Sequence, residues 1–188
     1  MSKIKIYFDM DGVLARYDRH AYEGEYPAYK QMGGHYFRNV MPDARMVQLL
    51  ETAEKRPEEF ECNVITTLNN HGGLFLEQYR DKLEWLDEHV EGMAFDVNGN
   101  FIPIIGSKRR VASWLKRNRL DYMDVLIDDF NPNLRDWQEH GGLAVKYLNG
   151  INSPSFDGPM ITTDMSSEDI LEMLRILSRV NHENRKED

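Results

Sequence analysis

Ile4 to Phe8 is a short apolar run of β-branched and aromatic residues that stops abruptly at Asp9-Met10-Asp11-Gly12, the pattern of a buried strand ending in a polar turn. The same pattern recurs at Cys62–Thr67, at Phe101–Ile105, at Met123–Ile127 before Asp128-Asp129, and at Gly142–Tyr147. Segments of helical period lie between these runs. Met46, Val47, Leu49, Leu50 and Ala53 predict a helix over Pro42 to Lys55, stopped by Pro57. Leu74, Tyr79, Leu83 and Leu86 predict a second, ending near His89. Ser107 is placed to N-cap a helix carrying Val111, Trp114 and Leu115, and Ser166 or Ser167 a last one through Ile170, Leu171, Leu174 and Leu177. Strands and helices alternating at this spacing predict an α/β, Rossmann-like fold: a parallel sheet with right-handed crossovers and helices on both faces. Ligands of such sheets bind beyond the carboxyl ends of the strands.

With 188 residues the chain is long enough for one well-filled α/β core and short for two, so residues 1–188 are read as a single domain. Residues 15–41 break the alternation. Rich in Tyr, Gly and charge but without a clean period, they read as a small cap inserted after the first strand. Residues 181–188 are a charged segment with no apolar face, expected to be a flexible tail. A net charge of −9 argues against a nucleic-acid polymer or an anionic membrane as partner, though a small anion can still bind locally. No run is long enough to cross a membrane or to form the apolar segment of a signal peptide, so a cytoplasmic location is expected. Cys62, alone in the chain and inside an apolar run, is expected to be a buried structural thiol. His35, His71 and His140 have no carboxylate or second His at ligand spacing on a recognisable element, so zinc is not expected.

Parallel strands would bring four polar clusters to one edge: Asp9 with Asp11, Thr66 with Thr67, Lys108, and Asp128 with Asp129. Two carboxylates directly after a buried strand cost electrostatic energy that a structural turn has no need to incur. A hard cation such as Mg²⁺ prefers oxygen ligands, and Asp9 and Asp128 can supply carboxylates to hold it against a phosphate oxygen. A carboxylate can also attack phosphorus, splitting a hydrolysis into two displacements, with a neighbouring acid or base to shuttle the proton. Asp11, two residues on, suits that second role. Donors aimed at the equatorial oxygens of the phosphoryl group are available from the Thr66 hydroxyl, the Lys108 ammonium and the turn, where Gly12 lets the backbone come close.

Phe8-Asp9-Met10-Asp11-Gly12-Val13-Leu14 resembles the first motif of the haloacid dehalogenase (HAD) superfamily of phosphatases, and Val125-Leu126-Ile127-Asp128-Asp129 resembles the fourth. Thr66 and Lys108 match the second and third, so the resemblance spans residues 4 to 129. Within the superfamily the chain is most similar to the 5'(3')-deoxyribonucleotidases. The resemblance implies a Rossmann-like HAD fold, with Asp9 as nucleophile and metal ligand and Asp11 as general acid/base with its main-chain carbonyl on Mg²⁺. It also implies that Thr66 and Lys108 bind phosphate, and that Asp128 and Asp129 complete the metal site, one of them directly. Thr67 stays open as the alternative to Thr66. Thr67-Leu68-Asn69-Asn70 lacks the proline expected shortly after this motif in the nucleotidases.

The expected activity is therefore Mg²⁺-dependent hydrolysis of a small phosphate monoester, with a nucleoside monophosphate as the leading substrate. The rivals are a HAD phosphatase for a sugar phosphate or another small ester, and a non-catalytic module that keeps the fold. The sequence does not set an oligomeric state.

Overall fold

The apolar runs fold as strands β1 (Ile4–Asp9), β2 (Phe60–Thr67), β3 (Phe101–Ile104), β4 (Asp124–Asp128) and β5 (Leu143–Tyr147), joined by a two-residue strand β6 (Met160–Ile161) that the sequence reading did not anticipate. The structure is a computed structural model and describes residues 3–16, 35–68, 74–95 and 99–184. All six strands are parallel, in the order β3-β2-β1-β4-β5-β6. The chain winds outward from β1 in one direction through β2 and β3, then returns to start again at β4. The crevice where the winding reverses, beside the end of β1, is where doubly wound sheets bind ligands.

Side chains alternate across the sheet with period two and divide the core into two layers. Ile4, Ile6, Phe8, Val125, Ile127 and Val145 face helices α1 (Ala44–Glu54), α2 (Leu74–His89) and α5 (Ser167–Asn184), meeting Met46, Leu49, Leu50, Trp85, Leu86, Ile170, Leu171 and Leu174. Tyr7, Ile65, Leu126 and Ala144 face the other way, against α3 (Val111–Trp114) and α4 (Asn131–Glu139), through Val111, Leu134 and Trp137. Each of the Val, Leu, Ile, Phe and Met side chains among these contributes roughly 1.5–3 kcal/mol when fully buried. Helices on both faces follow from the near-continuous apolar composition of the central strands.

Local chemistry fixes the helix ends. Asp43 caps α1, accepting from the amides of Arg45 (3.2 Å) and Met46 (3.4 Å). Of the two serines offered for the last helix, Ser166 is the cap: its Oγ accepts from Asp169 N at 3.2 Å, while Asp169 Oδ2 accepts from Ser166 N, also at 3.2 Å. That helix runs on to Asn184, past the start of the segment read as tail. Ser107 does not cap its helix. Its hydroxyl donates instead to Asp136, a 3-10 turn (Lys108–Arg110) leads into the four-residue α3, and Trp114 is more than half exposed.

Helix α4 was absent from the sequence reading, because Asn131-Pro132-Asn133 looks like a turn. Proline is tolerated in the first helical turn, where its missing N–H has no partner to lose. Trp137 then anchors the helix: its indole N–H donates to Asp124 O at 2.9 Å and it packs against Tyr7 with ring centroids 5.3 Å apart. Most of the expected cap, residues 17–34, lies outside the described residues, while its last part folds as a 3-10 turn, Tyr36–Asn39. Among the described residues no helix is long and apolar enough to cross a membrane. Cys62 is buried as expected.

Candidate active site

The carboxyl ends of β1, β2 and β4 lie side by side, because β1 pairs with both of the others and Phe8 is in register with Ile127 and Val64. This places Asp9, the last residue of β1, next to Asp128, the last residue of β4. The 3-10 turn that follows β3 carries Lys108 into the gap. Its Nζ lies 2.6 Å from Asp9 Oδ1 and 2.7 Å from Asp128 Oδ2, and all three side chains are buried. Asp9 Oδ1 also accepts from the amide of Met10 at 2.7 Å. Asp128 takes the amide of Phe130 (2.7 Å) on one oxygen and Asn133 Nδ2 (2.9 Å) on the other.

Asp129 has supports that the sequence reading missed. Asn149 and Asn152 each donate to its Oδ2 at 2.8 Å, and the buried Lys146 donates to its main-chain oxygen. Gly12 presses on the same carboxylate. It sits at φ +88°, and a Cβ there would lie 2.5 Å from Asp129 Oδ2. Asn149 Nδ2 also donates to Gly12 O at 2.5 Å. The close approach that Gly12 permits is therefore to Asp129. Its amide donates to Ala15 O at 2.8 Å, within the turn that follows β1.

Asp9, Asp128 and Asp129 each bring a carboxylate oxygen within 4.8 Å of the others. Among the described residues Lys108 is the ammonium in ion-pair contact with this buried trio and Lys146 lies on the Asp129 main-chain oxygen, so two cations face three carboxylates. Burial pushes the Asp9 carboxyl well above the usual carboxylate range; Lys108 opposes the shift, and Asp128 and Asp11 reinforce it. Asp129 is pushed up for the same first reason, against the hydrogen bonds from Asn149 and Asn152. Burial would lower the Lys108 ammonium, but Asp128 and Asp9 outweigh it and hold the lysine protonated beyond its ordinary range. A cluster of hard oxygen donors short of positive charge fits a small divalent cation.

A cleft of about 280 Å³ opens over this cluster, lined by Asp9, Asp11, Thr67, Lys108, Asp129, Phe130, Asn133, Ile151 and Asn152. Thr67 lines it and Thr66 does not. Thr66 is fully buried, and its hydroxyl accepts from Lys82 Nζ at 2.6 Å. Lys82, which pairs with Asp11, is the largest element missing from the sequence reading. A signal was present: Gln78, Asp81 and Lys82 fall in the same helical stripe as Trp85 and Leu86, so the buried face of α2 carries three polar residues. A larger cavity of about 1000 Å³, lined among others by Arg16, Arg45, Gln48 and Tyr147, adjoins the cleft and shares Ile151 with it.

Away from the cleft, α4 brings Asp136, Glu139 and His140 together on the surface, a grouping that the sequence reading excluded because it had no helix there. Arg109 already pairs with both Asp136 and His140. His35 pairs with the buried Asp81 at 2.8 Å, and His71 lies outside the described residues.

The fold is shared with a solved structure. The chain superposes on a D,D-heptose 1,7-bisphosphate phosphatase from B. bronchiseptica, complexed with magnesium and phosphate, with a TM-score of 0.58 and 12% identity over 93% of this chain and 99% of that one. A HAD-superfamily hydrolase from Ehrlichia chaffeensis follows with a TM-score of 0.49 and 14% identity, covering 94% of this chain and 99% of the other. The HAD domain of effector protein Lem4 from Legionella pneumophila gives 0.47 and 11%, with coverage of 95% and 97%. No protein-family model and no curated protein sequence matches the chain. The Rossmann-like fold expected from the sequence is borne out, and at these identities the likeness concerns fold alone.

Proposed function

We propose that this chain is a Mg²⁺-dependent phosphomonoester hydrolase in which Asp9 is the nucleophile. The observation that carries the reading is the meeting of Asp9, Asp128 and Asp129 around Lys108 beneath a cleft that Asp11 also lines. Asp9, Asp128 and Asp129, with the main-chain carbonyl of Asp11, would hold the cation. When bound, it would neutralise the carboxylates and draw charge from the phosphoryl oxygens.

In the first step an Asp9 carboxylate oxygen attacks phosphorus, the P–O bond to the ester oxygen breaks, and Asp11 gives its proton to the departing oxygen. In the second, Asp11, now a carboxylate, takes a proton from water as that water attacks the same phosphorus and releases Asp9 and inorganic phosphate. Lys108 and the Thr67 hydroxyl, both lining the cleft, bind phosphoryl oxygens. Thr66, one residue back, supports from below. Deoxyribonucleoside monophosphates are the proposed substrates: the motifs resemble the deoxyribonucleotidases, and the adjoining cavity gives a leaving group of that size room past Ile151. Tyr17, Tyr22, Tyr26 and Tyr29, which could stack on a base, lie outside the described residues.

The test is phosphate release from a panel of 5'- and 3'-nucleoside monophosphates, sugar phosphates and an aryl phosphate, with Mg²⁺ or EDTA, for wild type and Asp9→Asn. Turnover that needs Mg²⁺ and disappears in Asp9→Asn is expected, with deoxynucleotides preferred. Preference for a sugar phosphate overturns the substrate class, and no turnover by folded, Mg²⁺-binding protein overturns the enzyme reading.

A further inference from the structure

Lys82 is a lysine with no exposed surface, delivered to the active-site edge by the middle of α2. Its ammonium pairs with Asp11 Oδ2, donates to Thr66 Oγ1 at 2.6 Å, and lies over the Phe37 ring at 4.4 Å from the centroid. Three donors thus meet a carboxylate, a hydroxyl and an aromatic face. A buried ammonium is very costly unless it is paired in this way, so the arrangement is not free to drift. Asp11, by contrast, sits on a turn with its side chain one-third exposed to the cleft. Left alone, an aspartate at such a place samples several rotamers.

We propose that Lys82 is the positioning residue for Asp11: it grips Oδ2 from below and fixes the carboxyl group so that Oδ1 meets the ester oxygen of the substrate. Thr66 and Phe37 in turn fix the ammonium. The proposal rests on the phosphatase reading above and assigns the two lysines separate tasks. Lys108 serves the nucleophile and the phosphoryl group. Lys82 serves the proton transfer, and with it the departure of the leaving group.

Proton donation matters in proportion to how poor the leaving group is, which gives a readout that a merely structural lysine would not move. The experiment compares 4-nitrophenyl phosphate, whose phenolate departs without a proton, with phenyl phosphate, whose leaving group gains far more from one. Wild type, Lys82→Met, Asp11→Asn and the double variant are assayed with Mg²⁺, reading kcat and KM separately. For Lys82→Met, kcat/KM, which reports the step in which the leaving group departs and not the later hydrolysis at Asp9, is expected to fall about tenfold or more further on phenyl phosphate than on 4-nitrophenyl phosphate. The double variant should discriminate between the two esters no more than Asp11→Asn alone.

Equal losses of kcat/KM on both esters in folded Lys82→Met overturn the role of Lys82 and leave the phosphatase reading standing. Wild type that releases phosphate from neither ester and from no nucleotide or sugar phosphate of the panel overturns both. Should Lys82→Met fail to fold, Thr66→Val removes one partner of the ammonium and no charge. A selective loss of kcat/KM on phenyl phosphate then supports the proposal, and an equal loss on both esters, or none, overturns it.

Discussion

Gly12 and Asp129 are packed so closely that no side chain fits between them: a Cβ on Gly12 would lie 2.5 Å from one carboxylate oxygen of Asp129 and 2.8 Å from the other. Gly12 also holds φ at +88°, a conformation that L side chains rarely adopt. Gly12→Ala should therefore displace Asp129 and strain the turn after β1, destabilising the protein by about 1–3 kcal/mol and removing most of the activity. Thermal melting and phosphate release check both parts.

The hydrogen bonds that reach Asp129 from Asn149 and Asn152 orient a proposed metal ligand from outside the metal's own shell. Asn149→Ala and Asn152→Ala are each expected to weaken Mg²⁺ binding by about 10–100-fold while the fold is kept. Calorimetric titration with Mg²⁺, beside a circular dichroism spectrum, measures this without any substrate.

Asp9 and Asp129 have carboxyl groups pushed above their ordinary values by burial, so the metal-free fold holds their protons more tightly than the unfolded chain does. The stability contributed by such groups is complete below the unfolded value of about 4 and is lost as the pH rises through the folded values. A bound cation needs the carboxylates ionised and restores what is lost. The rise in melting temperature on adding Mg²⁺ should consequently grow from acid to neutral pH, and Asp9→Asn should flatten that growth. A rise independent of pH would count against the carboxylate site.

Cys62 lies in the core with its thiol pushed up in pKa, first by burial and then by the nearby Glu54 carboxylate. Little thiolate is available at neutral pH in the native protein. A thiol reagent such as dithionitrobenzoate should leave the folded chain unmodified over hours and react at once in denaturant. Activity should be indifferent to mild oxidants.

Much of the fold was legible because the strands of a doubly wound sheet are buried on both sides and show as largely apolar runs. Asp9 and Asp128 were legible for the same reason, each being the first polar residue at the end of such a run. Where meaning depended on a distant partner, the sequence was mute. Thr66 and Thr67 differ by one residue, and only the pleat decides that Thr66 is buried while Thr67 lines the cleft. Lys82 shows by its place in the apolar stripe of α2 that it is buried, but its partner Thr66, sixteen residues away in the chain, emerges only when the helix is laid against the sheet. Asn149 and Asn152 sit in a loop whose composition says turn, and α4 begins on residues that say the same.

The placing of β1 between β2 and β4 has a further consequence for synthesis. Asp9 is made more than a hundred residues before Asp128, the neighbour that completes its surroundings. Until then β1 has one flank unpaired, and no amino-terminal fragment ending before β4 can assemble the acidic cluster. The slow event in folding should be the capture of β4 by β1, a long loop closed at high entropic cost. A nascent chain stalled short of that point would present an apolar strand edge to its surroundings.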